Sequence, residues 1–264
     1  MNQQERRVYL LQALLAEDAR YREIAIPDAE AEQKELLRAL FNVRMPKRVG
    51  RAFLEVQDAY LQEEIRQKGI TDVGELTPFW KGVYLWQGDI TTLRCDAIVN
   101  AANAQMLGCF CPNHGCIDNA IHTFAGVQLR AACARIMEHK GCEAKTGGAE
   151  ITPGYNLPSR YVLHTVGPII HEQPTGRDEE ALAACYRSCL ELAEKNRICS
   201  IAFCCISTGE FRFPNERAAE IAIRTVWAYR ARTHSDMKVI FNVFRRIDFD
   251  IYRKCLDAAG APEG

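Results

Sequence analysis

The sequence predicts an α/β protein in which a layered domain with a largely parallel sheet follows a helical N-terminal segment. From about residue 83 onward, short apolar runs alternate with amphipathic helical patterns, which is typical of parallel sheets covered by helices. Residues 1–75 instead carry helical periodicity throughout. We therefore divide the chain into a helical extension, residues 1–75, and an α/β domain, residues 76–264.

Three amphipathic helices are predicted in the extension. The segment RRVYLLQALLAEDARY repeats apolar residues at the i, i+3, i+4 spacing of one helical face. Asp28, which follows Pro27, is a suitable N-cap for the helix in DAEAEQKELLRALFNVR. A third helix, in GRAFLEVQDAYLQEEIRQKG, is expected to end at Gly69. Because the region holds no group of metal ligands or nucleophiles, we interpret it as a helical cap or appendage.

Five apolar segments of the second region are predicted strands. They are VYLWQGD, DAIVNAAN, YVLHTVGP, SIAFCCIS and KVIFNVF. Helical patterns cover residues 116–141, 178–196, 215–234 and 248–260. Ligands of open α/β sheets bind where loops leave the carboxyl ends of the strands. Three loops of that kind, QGDITTL, NAANAQMLGCFCPNHGC and CISTGEFRFPNERAAE, are therefore the candidate binding loops.

Charge and composition exclude several classes of protein. The net charge of −1 gives no basic field for nucleic acid, and the clusters RARTH and FRRID are interpreted as solvated surface. No apolar run approaches the ~18 residues of a membrane span, and the charged N-terminus does not resemble a signal peptide. Most of the 12 cysteines lie in apolar segments, which favours a reducing compartment. We expect a cytoplasmic protein that binds neither nucleic acid nor membranes.

Two of the loops have chemistry of their own. ISTGEFRFP joins a strand to a helix through Gly209, an arrangement in which backbone N–H groups can cradle an anion, although an ordinary strand-to-helix turn has a similar sequence. MLGCFCPNHGC places three cysteines and a histidine within eight residues. These side chains are either ligands of a metal ion or redox-sensitive or packed cysteines, and the spacing alone leaves both open.

Several motifs in order resemble the macrodomain, an ADP-ribose-binding module. They are GDIT, DAIVNAAN, CIDNAIH, GYNLPSRYVLHTVGP and CCISTGEFRFP, which span the chain from about residue 83 to the C-terminus. The resemblance implies a three-layer α/β/α fold with a mixed, largely parallel sheet. Cysteines, a proline and a histidine replace the glycine-rich run of ordinary hydrolytic macrodomains. With the helical extension, this departure is similar to the zinc-dependent macrodomains of bacteria and fungi, whose genes are often associated with a sirtuin-type ADP-ribosyltransferase.

The resemblance also implies roles for individual residues. Cys109, His114 and Cys116 would bind one Zn²⁺ per chain, with an open coordination position if catalytic, whereas Cys111 is either a bystander or a fourth ligand that closes the site. Asp118 would assist the chemistry as a base or by orienting water, although a helix cap is its plainer interpretation. The remaining ADP-ribose contacts are Asn103 at the distal ribose, Asp89 and Ile90 at the adenine, and Ser207, Thr208, Gly209, Glu210 and Phe211 at the diphosphate and distal sugar.

The function implied is a zinc-dependent hydrolase that removes mono-ADP-ribose from modified proteins by cleavage at the anomeric carbon of the distal ribose. Its partner would be a mono-ADP-ribosylated protein, with a functional link to a sirtuin-type transferase, and we expect a monomer. Two alternatives stay open. One is a module that binds ADP-ribose without hydrolysis, and the other is a deacetylase of free O-acetyl-ADP-ribose.

Overall fold

A computed structural model describes residues 1–260 of the chain, which form an N-terminal group of helices and an α/β unit. The N-terminal helices are α1 (Gln3–Glu17), α2 (Glu30–Val43) and α3 (Arg51–Lys68). The strands are β1 (Thr71–Asp72), β2 (Val83–Gln87), β3 (Leu93–Arg94), β4 (Ala97–Ala101), β5 (Ala149–Pro153), β6 (Tyr161–Thr165), β7 (Ser200–Phe203) and β8 (Lys238–Val243). The other helices are α4 (Ile117–Ala125), α5 (Val127–Lys140), α6 (Gly176–Lys195), α7 (Asn215–Thr233) and α8 (Arg246–Ala259).

Six strands form the central sheet, in the order β2-β8-β7-β4-β6-β5. All neighbours are parallel except β5, which pairs with β6 in the antiparallel direction. The predicted α/β fold with a mixed, largely parallel sheet and N-terminal helices is therefore confirmed. Strands β1 and β3 form a separate two-stranded parallel ladder.

The inner strands are buried along their whole length rather than at alternate residues. Every residue of β7 is buried, and so are the first four residues of β4. Strands that are apolar without alternation are covered on both faces. Helix α4 contacts β4 and α5 contacts β5, whereas α6 contacts β5 and β6, α8 contacts β2 and β8, and α7 packs against both α6 and α8. The domain therefore has helix, sheet and helix layers.

Two elements differ from their predictions. The helical pattern over residues 116–141 is broken into α4 and α5 at Gly126, whose φ of +92° is open to glycine and strained for other residues. Asp28 is not the N-cap of the second helix. That helix begins at Glu30 after the cap residue Ala29, and no side chain caps it. The expected end of α3 at Gly69 is confirmed.

The N-terminal helices have their own apolar core. Leu11, Leu37 and Leu61, one from each helix, lie in one buried cluster, to which Val127 of α5 contributes. Burying a leucine side chain contributes about 1.5–3 kcal/mol, so this core holds the three helices together and against the α/β domain. Within residues 1–260, no helix has both the length and the apolar composition that crossing a bilayer requires.

Candidate active site

A cavity of about 670 Å³ lies at the carboxyl end of the sheet. Four segments line it: residues 101–103 after β4, residues 108–118 of the next loop, residues 204–211 after β7 and residues 242–248 at the end of β8, although not every residue of these segments contributes. The loops after parallel strands converge at this edge because all these strands run in the same direction. The cavity therefore joins two of the three candidate loops to a fourth segment.

Three of the four soft side chains in the cysteine-rich loop come together. One ligand atom each from Cys109, His114 and Cys116 lies within 4.8 Å of the others, and Cys109 Sγ is 3.7 Å from His114 Nδ1. All three side chains are half-buried and their residues line the cavity. Within residues 1–260, the exposed Cys111 is not part of this group. Two thiols and one imidazole suit a Zn²⁺ ion that keeps a position open for water or substrate, so the residues fit the predicted metal.

Asp118 lies in the first turn of α4, two residues after Cys116, and is buried at the cavity wall. Its Oδ1 accepts a hydrogen bond of 2.8 Å from Asn100 Nδ2 and is 3.5 Å from His122 Nε2. Burial raises the pKa of Asp118 to about 6, against the opposing effect of the Asn100 hydrogen bond. A carboxylate that is held by an amide and belongs to a residue lining a cavity can accept a proton or orient a water.

Asn103 also lines the cavity, where its amide is already oriented by the backbone. Its Nδ2 donates to Gly108 O at 3.2 Å, and its Oδ1 accepts from the N–H of Gln105 at 3.1 Å. The second N–H of Nδ2 is free to donate to a bound hydroxyl. Asn100 differs, because it is fully buried and contacts Asp118 rather than the cavity.

The loop after β7 has the features of an anion site. Ser207 is buried with a φ of +64°, an uncommon conformation for a residue with a side chain. Within residues 1–260, the backbone N–H groups of Gly209, Glu210 and Phe211 donate to no acceptor of the protein. The loop packs closely on Gly167, where a Cβ would lie 2.0 Å from Ser207 Oγ, so a larger residue there would displace the buried Ser207 side chain. Adjacent free N–H groups of this kind bind oxyanions.

Glu210 does not place its carboxylate among these N–H groups. Its Oε1 lies 3.5 Å from His114 Nε2, although the side chain is 72 % exposed. The side chain thus extends from the β7 loop toward the cysteine-rich loop, and the two loops approach each other at the mouth of the cavity. Thr208 Oγ1 donates back to Cys205 O at 3.0 Å and helps to close the turn.

The third candidate loop is next to the cavity rather than in its lining. Asp89 begins a short 3₁₀ turn, and its Oδ1 accepts from the N–H and the hydroxyl of Thr91. Its Oδ2 accepts from Lys68 Nζ of α3 at 3.0 Å. Burial raises the pKa of Asp89, but the Thr91 hydrogen bonds and the Lys68 ammonium outweigh it and hold that pKa below its ordinary value. Ile90 is buried beneath the turn.

The sequence prediction missed the residues that the end of β8 contributes. Phe244 is 74 % exposed and lines the cavity, together with Asn242, Arg245 and Asp248. Asn242 Nδ2 donates to Gly88 O at 2.9 Å and so connects this wall to the turn at Asp89. The available signal was the position of Phe244 directly after an apolar strand, since the carboxyl ends of strands form the site. The interpretation of FRRID as solvated surface is therefore incomplete, because Phe244, Arg245 and Asp248 of this segment line the cavity.

A second group of donors lies behind the cavity in the core. One ligand atom each of His122, Cys133 and His164 lies within 4.8 Å of the others, and all three residues are buried. His164 is tied on both ring nitrogens, with Asn100 Nδ2 at 3.2 Å from Nδ1 and Thr152 Oγ1 at 2.9 Å from Nε2. The structure thus joins His164 to Asp118 through Asn100, and its role is that of a core histidine with satisfied hydrogen bonds.

Comparisons with known proteins fit this geometry. The model of the macro domain family matches residues 99–222. A "Protein-ADP-ribose hydrolase" from Treponema medium is 56 % identical over 263 residues, which are 97 % of this chain and 100 % of that protein. A "Protein-ADP-ribose hydrolase" from Staphylococcus aureus (strain MSSA476) is 49 % identical over 237 residues, 89 % of this chain and 88 % of that protein. The chain belongs to the macro domain family.

Solved macrodomain structures resemble this macrodomain in fold. The Oceanobacillus iheyensis macrodomain with ADP has a TM-score of 0.61 at 39 % identity and covers 67 % of this chain and 90 % of its own. The Trypanosoma brucei macrodomain in complex with ADP-ribose has a TM-score of 0.65 at 30 % identity, covering 83 % of this chain and 94 % of its own. The family expected from the motifs is therefore confirmed, whereas zinc and the individual residue roles stay predictions.

Proposed function

We propose that this macrodomain is a zinc-dependent hydrolase that removes mono-ADP-ribose from modified proteins by cleaving the bond at the anomeric carbon of the distal ribose. The names of the relatives from Treponema medium and Staphylococcus aureus support hydrolysis of protein-linked ADP-ribose. The observation that carries the proposal is that the donors Cys109, His114 and Cys116 line the same cavity as Asp118.

The cavity supports binding of the whole nucleotide. Its volume of about 670 Å³ falls in the range of about 300–1,000 Å³ that small-molecule sites occupy. The free N–H groups of residues 209–211 would receive the diphosphate. At the end of β8, Phe244 offers an exposed ring on which adenine would stack. Asp89, held as a carboxylate, would accept a hydrogen bond from the adenine amino group.

Hydrolysis requires that a water oxygen bond to the anomeric carbon while the bond to the protein side chain breaks. The water proton is transferred to a base and one proton leaves with the released side chain, so the products are ADP-ribose and the unmodified protein. Asp118 would orient the water or take up its proton, and the Asn100 amide would hold that carboxylate in place. Asn103 would donate its free N–H to a hydroxyl of the distal ribose and fix the sugar.

The metal ligands complete this assignment. Cys109, His114 and Cys116 would hold the Zn²⁺ ion. When bound with an open position, such an ion supplies Lewis acidity that makes a coordinated water or sugar hydroxyl more acidic. The position of Asp118, two residues after Cys116, puts a carboxylate next to the ligand loop at the same end of the cavity.

The decisive experiment compares two substrates. The zinc-loaded full chain is incubated with a protein carrying labelled mono-ADP-ribose and, separately, with O-acetyl-ADP-ribose. Release of ADP-ribose from the protein is measured by mass spectrometry, before and after removal of zinc by a chelator and its restoration. The proposal expects zinc-dependent release from the protein.

Three outcomes would contradict the proposal in whole or in part. Tight binding of ADP-ribose without any release would make the chain a binding module, and turnover of O-acetyl-ADP-ribose alone would make it a deacetylase of the free metabolite. Full release by the zinc-free protein would remove the metal from the assignment. Asp118→Asn, which keeps the size of the side chain, should lose turnover but retain binding of ADP-ribose.

A further inference from the structure

The N-terminal helix α2 lies against the cysteine-rich loop and the start of α4. We infer that α2 is part of the active site, because Arg38 and Asn42 hold the loop of residues 109–116 in the conformation that presents its three ligand atoms. Both are positioning residues in this assignment, since neither is a ligand nor lines the cavity. The inference rests on the metal site of the proposed function, and its experiment separates the two.

Arg38 of α2 donates hydrogen bonds to residues on both sides of Cys116, namely His114 and Asn119. Its Nη2 donates to the carbonyl of His114 at 2.9 Å and to Asn119 Oδ1 at 2.8 Å, and its Nε also donates to Asn119 Oδ1 at 3.2 Å. Asn119 in turn donates through Nδ2 to the carbonyl of Cys111 at 3.0 Å and through its N–H to Cys116 Sγ at 3.4 Å. One guanidinium thus fixes the backbone of His114 directly and its neighbours through one fully buried amide.

Asn42 of α2 accepts a hydrogen bond from Asn113, the residue before the ligand His114. It is 1 % exposed, its Oδ1 accepts from the N–H of Asn113 at 2.9 Å, and its Nδ2 donates to Thr123 Oγ1 at 3.0 Å. Asn113 has a φ of +54°, a conformation that asparagine visits more readily than most residues but that still costs free energy. The hydrogen bond from α2 therefore offsets the cost of the sharp turn into His114.

Arg130 ties the other end of the loop to the same helix. Its Nε donates to the carbonyl of Leu107 at 2.6 Å, and its Nη1 donates to the carbonyl of Phe41 in α2 at 3.0 Å. Its guanidinium also lies 4.3 Å from the centre of the Phe110 ring, within the range of a cation–π contact. The loop is consequently attached to α2 both before Cys109 and at His114.

This attachment has a consequence for metal affinity. A loop without regular structure is costly to order, and an ion that must order it binds more weakly than one that meets its ligands already in place. Groups that orient metal ligands from outside the ligand set typically change affinity or activity about 10- to 100-fold when they are removed. We expect removal of the Arg38 guanidinium to change zinc affinity by a factor of that size, although Arg38 acts through the backbone carbonyl of His114.

The experiment compares Arg38→Gln and Arg38→Lys with the unaltered full chain. Zinc affinity is measured by competition with a chromophoric chelator, and the geometry of the site by the absorption spectrum of the Co²⁺-substituted protein. Arg38→Gln should weaken zinc binding about 10- to 100-fold and alter the Co²⁺ spectrum. Arg38→Lys should recover part of the affinity, because one ammonium cannot reproduce the fork that bonds two acceptors.

Arg7→Gln is the matched control. Arg7 is 3 % exposed and bonds Gln33 and Glu30 within the N-terminal helices without reaching the loop. The substitution Arg7→Gln should lower the free energy of unfolding but leave zinc affinity and the Co²⁺ spectrum unchanged. Wild-type affinity and spectrum in Arg38→Gln, or an equal loss in Arg7→Gln, would overturn the inference.

Hydrogen exchange separates this inference from the proposed function. In metal-free protein, the backbone amides of residues 109–116 other than Pro112 should exchange faster in Arg38→Gln than in Arg7→Gln. The reason is that the clamp, which consists of the hydrogen bonds of Arg38 and Asn42 to this loop, acts before any ion binds. If the unaltered chain bound no zinc, the metal of the proposed function would fail while this exchange difference would still support the clamp. Equal exchange in the two variants would remove the clamp whatever the affinity for zinc.

Discussion

Asn100 Nδ2 donates a 2.8 Å hydrogen bond to Asp118 Oδ1 and lies 3.2 Å from His164 Nδ1. The two N–H groups of one amide thus hold the candidate base on one side and a buried histidine on the other. His164 can accept at Nδ1 and donate at Nε2 to Thr152. Every N–H in this series of hydrogen bonds then has an acceptor. This series of hydrogen bonds connects β4, α4, β6 and β5 behind the cavity.

Replacing Asn100 by alanine should reduce turnover without removing zinc. Asp118 would lose the donor that orients it, and we expect at least about a tenfold loss out of the about 10²–10⁴-fold that a positioned acid or base contributes. The free energy of unfolding should fall by about 1–3 kcal/mol, because buried partners are left unsatisfied. Turnover, zinc content and urea unfolding are the measurements.

Thr152→Val is the control for that substitution. It replaces the buried Thr152 hydroxyl that contacts His164 by a methyl group, so the shape of the side chain hardly changes. The hydrogen bond between Asn100 and Asp118 is kept. Stability should fall to a similar extent while turnover stays near that of the unaltered protein. A parallel loss of turnover in both variants would mean that Asn100 acts only through the stability of the core.

The two neighbouring cysteines of the ligand loop should differ in what they do to the metal. Cys109→Ser removes a thiol of the three-donor group and should abolish stoichiometric zinc binding and turnover. Cys111→Ser changes an exposed thiol two residues away and should retain one zinc per chain. Metal content by mass spectrometry of the purified variants gives the answer. Loss of zinc in Cys111→Ser would identify Cys111 as a fourth ligand.

Local sequence was sufficient to predict most of the fold, whereas the ligand set was predicted from the family resemblance. The inner strands are continuous apolar runs, and Cys109, His114 and Cys116 are so close in sequence that a single turn of irregular loop brings them together. Strand β5 was missed because AEITP is partly exposed and ends in proline, which is typical of an edge strand. The break at Gly126 was missed because the apolar periodicity continues through it.

Contacts between distant segments were not predictable from these patterns. Arg38 and the carbonyl of His114 are 76 residues apart, and Lys68 and Asp89 are 21 apart. The periodicity of a helix predicts which face is apolar, but a polar residue at the edge of that face looks the same whether it meets water or a loop. The sequence therefore predicts only a helical cap or appendage, and the structure adds that this extension contacts both the ligand loop and the turn at Asp89.

Phe244→Ala should weaken ADP-ribose binding while leaving zinc binding unchanged. Stacking of a base on an aromatic side chain contributes about 1–3 kcal/mol, which corresponds to about a 5- to 150-fold increase in Kd. Isothermal titration with ADP-ribose measures the change. Ile247→Ala is the control, because Ile247 is also exposed, at 61 %, but does not line the cavity. Equal Kd values for the two variants would exclude Phe244 from the adenine site.

The buried histidines should make the metal-free protein sensitive to acid. Burial lowers the pKa of His164 from 6.5 to about 3 and lowers that of His122 well below 6.5. Between pH 6.5 and 3 the unfolded chain therefore binds protons that the folded chain excludes. As the pH is lowered from 6.5 toward 3, the free energy of unfolding should therefore fall, by at most about 1.4 kcal/mol per pH unit for each histidine. Asp118 acts in the opposite sense below about pH 6, because its pKa is raised in the folded state.

His164→Gln isolates one of these contributions. Glutamine can still donate to Thr152 but does not titrate, so the part of the pH dependence that arises from residue 164 should disappear. Urea unfolding at pH 7.5, 6.5, 5.5 and 4.5, with a chelator present to exclude zinc release, gives the two slopes. The unaltered protein should lose stability more steeply below pH 6.5 than His164→Gln, by up to about 1.4 kcal/mol per unit. Identical slopes would mean that His164 gains a proton in the folded core as readily as in the unfolded chain.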